Sequence, residues 1–95
     1  MDWKSADNKA LIQAFLSLKS AGEMRRFLRD ILTESEIEEF TKRLLTAELL
    51  SKKVPYSTIE TQTGLSSTTV ARVARWLKKG AGGYKLVLSR IKKRV

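Results

Sequence analysis

Apolar residues recur along this chain at three- and four-residue intervals almost from end to end, the spacing that lays side chains along one face of an α-helix. Trp3, Asp7, Leu11, Phe15 and Leu18 step through such intervals, and Ala6, Ala10, Ala14 and Ile12 widen the stripe into a first amphipathic helix. Ser20-Ala21-Gly22-Glu23 stops it and restarts the chain with a Ser-x-x-Glu capping box, so a short second helix follows that turns Met24, Phe27, Leu28 and Ile31 inward. Thr33-Glu34-Ser35-Glu36 is a second such box and opens a longer helix through Ile37, Phe40, Leu44, Ala47 and Leu50. Leu45 and Leu49 give that helix a second apolar edge. Neighbours within the chain could cover both edges, and so could a second subunit; pattern alone leaves the two open.

Val54-Pro55 ends the long helix, because the proline ring disfavours helical geometry at Val54 and lacks a donor, while its fixed φ suits the start of the next helix. Residues 56–79 then read as two short helices around Gly64, a helix-turn-helix. Gly64 supplies the positive φ of the turn, Ile59, Leu65, Val70 and Val73 lock the two helices together, and Ser66 caps the second. That second helix opens on Ser67, Thr68 and Thr69 and continues through Ala71, Arg72 and Arg75. Small residues at the front of such a helix let its backbone approach base edges, where hydroxyls donate or accept and methyls meet thymine. The bland counterpart is a helical hairpin whose Ser and Thr residues only cap and solvate. After the break Gly80-Ala81-Gly82-Gly83, residues 84–95 read as a last basic helix with Tyr84, Leu88, Ile91 and Val95 on one side.

Charge sharpens the choice. The 95 residues carry 19 Lys and Arg against 10 Asp and Glu, a formal net charge of +9. Residues 1–50 hold eight basic and nine acidic side chains, a balance of −1; residues 51–95 hold eleven basic ones against Glu60 alone, a balance of +10. A merely solvated surface mixes signs, so a half-chain with one acid points to phosphates or an anionic membrane. With no Cys and no His, the chain lacks thiol nucleophiles, thiolate metal sites, the commonest general base and the commonest transition-metal ligand. The cluster Glu34, Glu36, Glu38 and Glu39 is accounted for by acids favouring the positive end of a helix. No catalytic residue, metal site or cofactor is therefore expected. The stretch Ala10 to Leu18 is half of what a bilayer span needs, and the first residues lack the pattern of a secretory signal, so a cytoplasmic location is expected.

Residues 32–79 resemble the tryptophan repressor family. The resemblance rests on Leu32-Thr33-x-x-Glu36, Arg43, Glu48-Leu49-Leu50, and Ile59-x4-Gly64-Leu65-x3-Thr69-Val70-x-Arg72. It implies an all-α, six-helix domain that intertwines with a second copy and sets two recognition heads into successive major grooves. It also implies an effector pocket, in which an indole stacks between two arginines; Thr33, Arg43 and Arg72 are the matching positions. Two residues depart from the family. Val73 stands where the repressor has a glycine beside the ligand, and Trp76 where it has a serine whose hydroxyl holds the amino acid. A branched side chain and an indole there would fill the cavity, so this relative is not expected to sense free tryptophan, and Trp76 itself becomes a candidate for stabilising the reading heads. Glu60 falls where the repressor has a phosphate-facing lysine.

The expectation is one helical domain over residues 1–95, a homodimeric repressor-like regulator that binds double-stranded DNA and no membrane. Ser67, Thr68 and Thr69 would probe base edges, Arg72 and Arg75 would contact bases or phosphates, and Tyr56, Ser57, Lys78 and Lys79 would position phosphates. The rival is an interaction or membrane-peripheral protein using its basic last helix.

Overall fold

The computed structural model describes residues 1–91, which form six helices: α1 Ala6–Leu16, α2 Ala21–Ile31, α3 Glu34–Ser51, α4 Tyr56–Thr63, α5 Ser67–Lys79 and α6 Gly83–Ile91. The all-α, six-helix reading is met, and within residues 56–79 two helices, α4 and α5, lie on either side of Gly64. Lys92, Lys93, Arg94 and Val95, expected to complete the last helix, lie outside the described residues. By internal contact the chain divides into two compact units, Met1–Ile37 and Glu38–Val95.

In the first unit, hydroxyl caps set the helix limits. Ser5 Oγ accepts from Asn8 N–H at 3.2 Å, so α1 begins at Ala6 and leaves Trp3 outside. Ser17 Oγ donates to Ala14 O at 2.7 Å, and its N–H is shared between Gln13 and Ala14 carbonyls, which closes α1 before Leu18. The periodic stripe therefore overran the helix at both ends. At α2, Ser20 Oγ accepts from Glu23 N–H, while the Glu23 carboxylate accepts from Lys19 N–H, one residue earlier than a capping box prescribes. At α3 the box is reciprocal: Thr33 Oγ1 accepts from Glu36 N–H and Glu36 Oε1 accepts from Thr33 N–H. Phe15 and Phe27 meet edge to face, with ring centroids 5.3 Å apart and planes at 82°. Neither α1 nor α2 has a fully buried residue.

In the second unit, Ala47 of α3, Val73 of α5 and Leu88 of α6 form the core, with Leu50, Leu77, Tyr84 and Ile91 packed around them. Ile59 of α4 and Val70 of α5 are likewise fully enclosed. α3 does not bury its apolar face evenly: Phe40 is 52% exposed, and Leu44 and Leu45 are also exposed. α3 closes on a Schellman turn, in which Val54 N–H bonds to Leu49 O and Lys53 N–H to Leu50 O. The residue turning left-handed is Lys53, at φ 63°, where a glycine is usual; a Cβ there costs about 1 kcal/mol.

Between α4 and α5 the left-handed residue is Gly64, at φ 74°, whose N–H bonds to Glu60 O at 2.8 Å. Thr63 completes the turn: its buried hydroxyl donates to Ile59 O at 2.7 Å and accepts from Leu65 N–H at 3.2 Å. After α5, Gly80 folds back on the last turn, and a Cβ there would run into the Trp76 carbonyl. These contacts hold α5 against α4 and α6 with one face outward.

Candidate nucleic-acid interface

α5 is sharply two-sided. Val70, Val73 and Ala74 are buried on one face; Thr68, Ala71, Arg72 and Arg75 are exposed on the other and line a groove of about 220 Å³. The spacing explains this, since positions 68, 71, 72 and 75 fall within one outer stripe of a 3.6-residue helix. Ala71 keeps the centre of the stripe shallow, so a partner can approach the backbone between the two guanidinium groups. Neither Arg72 nor Arg75 is paired with a carboxylate among the described residues, where the ion pairs are Arg29–Glu34 and Arg43–Glu39.

The three hydroxyl residues expected at the front of α5 are not equivalent. Ser66 Oγ accepts from Thr69 N–H at 3.2 Å, as a cap should, and its proton goes to Thr69 Oγ1 at 3.1 Å. Thr69 is half-buried and its hydroxyl is engaged, whereas Ser67 and Thr68 are exposed. Having accepted from Ser66, Thr69 Oγ1 keeps its own proton to donate, and its methyl group is the other contact it can offer a base. Sequence spacing alone did not reveal that, because one hydroxyl rotor decides it.

The candidate phosphate contacts flank the stripe. Tyr56 is 43% exposed and Ser57 is exposed at the first turn of α4, whose N-cap, Pro55, offers no side-chain acceptor. The leading amides of α4 are thus left without the usual side-chain cap. Lys78 and Lys79 are exposed in the last turn of α5, where their charge also complements the negative end of the helix. Lys53, which sequence reasoning passed over, stands near this group: it lines one cleft with Pro55, Tyr56 and Lys78. A basic residue directly before the Val54-Pro55 stop was the available signal.

Of the effector-pocket candidates, Arg43 and Trp76 are brought together, with the guanidinium carbon 5.8 Å from the ring centroid. Glu39 also pairs with Arg43, at 3.2 Å. Val73 is fully enclosed in the core, and Arg72 lies on the exposed groove with Thr68 and Arg75. Thr33 belongs to the first unit, where its hydroxyl caps α3. Glu60 is half-buried. Burial raises the pKa of the Tyr84 phenol, and the positive charge of Arg43 partly opposes that. No helix among the described residues is long and apolar enough to cross a membrane.

Comparison with known proteins adds a family to this geometry. A family model described as Trp repressor protein matches residues 6–92. The uncharacterized protein YerC of Bacillus subtilis (strain 168) is 40% identical over 82 residues, covering 86% of this chain and 79% of its own. The crystal structure of a TrpR like protein from Eubacterium eligens ATCC 27750 superposes with a TM-score of 0.89 at 35% identity, over 96% of this chain and 94% of its own. A candidate Trp repressor from Staphylococcus aureus gives a TM-score of 0.88 at 32% identity, over 97% of this chain and 95% of its own.

Proposed function

Because the chain belongs to the Trp repressor protein family, we propose that it is a homodimeric, sequence-specific regulator of transcription that binds double-stranded DNA. The observation that carries this reading is the outer stripe of α5, where two unpaired arginines flank a shallow alanine and the sequence beyond Glu60 contains no acidic residue. Ser67 and Thr68 probe base edges at the front of the helix. Thr69 offers its methyl group and its free hydroxyl proton while its oxygen accepts from Ser66. Arg72 and Arg75 reach bases or phosphates, and Tyr56, Ser57, Lys78 and Lys79 fix the register on the backbone.

The dimer is supported by apolar surface that the single chain leaves uncovered: Phe40, Leu44 and Leu45 on α3, and Leu11, Ile12 and Leu16 on α1, the last at 71% exposure. Two copies related by a two-fold axis would then read an inverted repeat with half-sites about one helical turn apart. The repressor-like sense of regulation, one helical domain over residues 1–95, and a cytoplasmic place of work complete the proposal.

The test begins with selection of bound fragments from a random duplex library, followed by anisotropy titration of the selected duplex across salt concentrations. Each neutralised phosphate contributes roughly −0.9 to the slope of log K against log salt, so a steep slope and a preference for duplex over single strands are expected. No binding at low salt, or no duplex preference, would remove the reading.

A further inference from the structure

A second cleft of the Glu38–Val95 unit, of about 530 Å³, opens where the end of α3, the start of α4 and the last turns of α5 meet. Its apolar lining comes from Leu50, Val54, Pro55, Ala74 and Leu77, and the charged residues among its lining are Lys53 and Lys78. That volume falls within the roughly 300–1,000 Å³ of small-molecule sites, which likewise combine an apolar wall with a few polar anchors. A DNA phosphate would use the two ammonium groups but has no use for five apolar side chains. An ion with a hydrocarbon body uses both.

Lys53 adds a second, independent observation. It occupies the left-handed position of the turn at φ 63°, where glycine would serve the backbone more cheaply. The lysine at this turn lines the cleft together with Lys78, so two cations share one apolar-walled cleft. We propose that the cleft binds an apolar monocarboxylate, whose acyl chain or ring lies on Leu50, Val54 and Leu77 and whose carboxylate is neutralised by Lys53 and Lys78. The site differs from the Arg43–Trp76 pair, with which it shares no residue.

The cleft joins the two helices of the helix-turn-helix, and Tyr56 and Lys78 belong to it as well as to the phosphate contacts proposed above. A bound carboxylate would occupy Lys78, so the ligand and DNA oppose each other. That coupling rests on the DNA-binding reading; the binding of the carboxylate does not.

Calorimetric titration of the full chain with octanoate and, separately, with octanamide decides the matter in the absence of DNA. Saturable binding at one site per chain, with octanoate at least about tenfold tighter than the uncharged amide, is expected. Lys53→Gly should weaken octanoate about fivefold or more without lowering the melting temperature, because it relieves the left-handed turn, and Lys53→Arg should retain binding. No saturable heat up to about 1 mM octanoate, equal affinity for the amide, or full binding by Lys53→Gly would overturn the site. Where octanoate binds, its addition should raise the Kd for the selected duplex. Binding with unchanged duplex affinity would uphold the site and refute its opposition to DNA, and a chain that binds no duplex at all would still be judged by the calorimetry.

Discussion

The guanidinium carbon of Arg43 lies 5.8 Å from the centre of the Trp76 ring, tying α3 to the helix that carries the exposed basic stripe. Arg43 also accepts the restraint of Glu39, one turn earlier on α3, and its field reaches the Tyr84 phenol on α6. One arginine thus meets residues from three helices of the second unit. The Glu39–Arg43 pair is partly exposed and is worth about 0.3–0.5 kcal/mol. The ring contact is near the outer limit of cation–π geometry, so about 0.5–1 kcal/mol is appropriate for it. These are small energies, and only the ring contact runs between α3 and α5.

A double-mutant cycle with Arg43→Gln and Trp76→Leu should therefore return a coupling of about 0.5–1 kcal/mol in thermal or urea unfolding. Trp76→Ser should weaken duplex binding while leaving far-UV circular dichroism nearly unchanged. Equal duplex affinity in that variant would leave Trp76 as a packing residue without influence on the reading head.

Much of this arrangement is legible in the sequence because it is local. The reciprocal box of Thr33 and Glu36, the stop at Pro55 and the left-handed Gly64 each depend on residues within four positions of one another. The same holds for Ser66 as a cap. What escaped is set by competition or by distance. Ser5 and Ser17 outbid the apolar stripe for the limits of α1, because a hydroxyl satisfies an end group that Trp3 or Leu18 cannot. The engagement of Thr69, the left-handed Lys53 and the meeting of Arg43 with Trp76 carry no periodic signature at all.

Thr46 offers a simple stability test. It is fully buried on α3 and its hydroxyl has no hydrogen-bond partner. A buried hydroxyl without a partner forfeits its hydration for nothing, at a cost of about 1–3 kcal/mol. Thr46→Val keeps the shape and removes the polar atom, so it should raise stability by about 1 kcal/mol. For a domain of this size that is an increase of roughly 4–8 °C in melting temperature, readable by calorimetry. A lower melting temperature would show that the hydroxyl has a partner in solution.

Tyr84 predicts an alkaline limit. Burial raises the pKa of its phenol above the ordinary value of 10.0, and Arg43 only partly offsets this. A raised acid favours the protonated folded form, so its contribution is fully present below pH 10.0 and is lost as the pH climbs through the folded-state value. Unfolding of the native chain and of Tyr84→Phe, compared at about pH 9 and about pH 11, should show the native chain losing more stability. Equal losses would mean that Tyr84 titrates as it does in the unfolded chain.

Assembly can be probed at Leu45, which is 39% exposed on α3 in the single chain. A glutamate at an exposed position of a monomer would be nearly neutral, usually within about 0.5 kcal/mol. If that face meets a second copy, Leu45→Glu buries an unpaired charge and should abolish the dimer and much of the folding together, since intertwined subunits rarely have a stable free form. Sedimentation and circular dichroism on the same samples separate the cases. A stable monomer in the unsubstituted protein at micromolar concentration would count against the dimer.

Free tryptophan should change neither the melting temperature nor the duplex affinity. One of the two arginines that would stack a ligand already has partners within the chain: Arg43 has Trp76 at 5.8 Å and Glu39 at 3.2 Å, and Val73 is enclosed in the core. An incoming indole would have to displace the ring of Trp76 from Arg43 and gain nothing over what it replaced. Its ammonium would need an acceptor, and the hydroxyl that the family resemblance implies for that purpose is absent at Trp76. Burying that charge unpaired costs several kcal/mol, roughly what separates micromolar from negligible affinity. Calorimetric titration with tryptophan should give no saturable heat in the unsubstituted protein. If Trp76 does take the ligand's place, Trp76→Ser opens the space and restores a hydroxyl, so weak tryptophan binding should appear in the variant alone. Micromolar binding by the unsubstituted chain would show that Val73 and Trp76 leave room for the ligand after all.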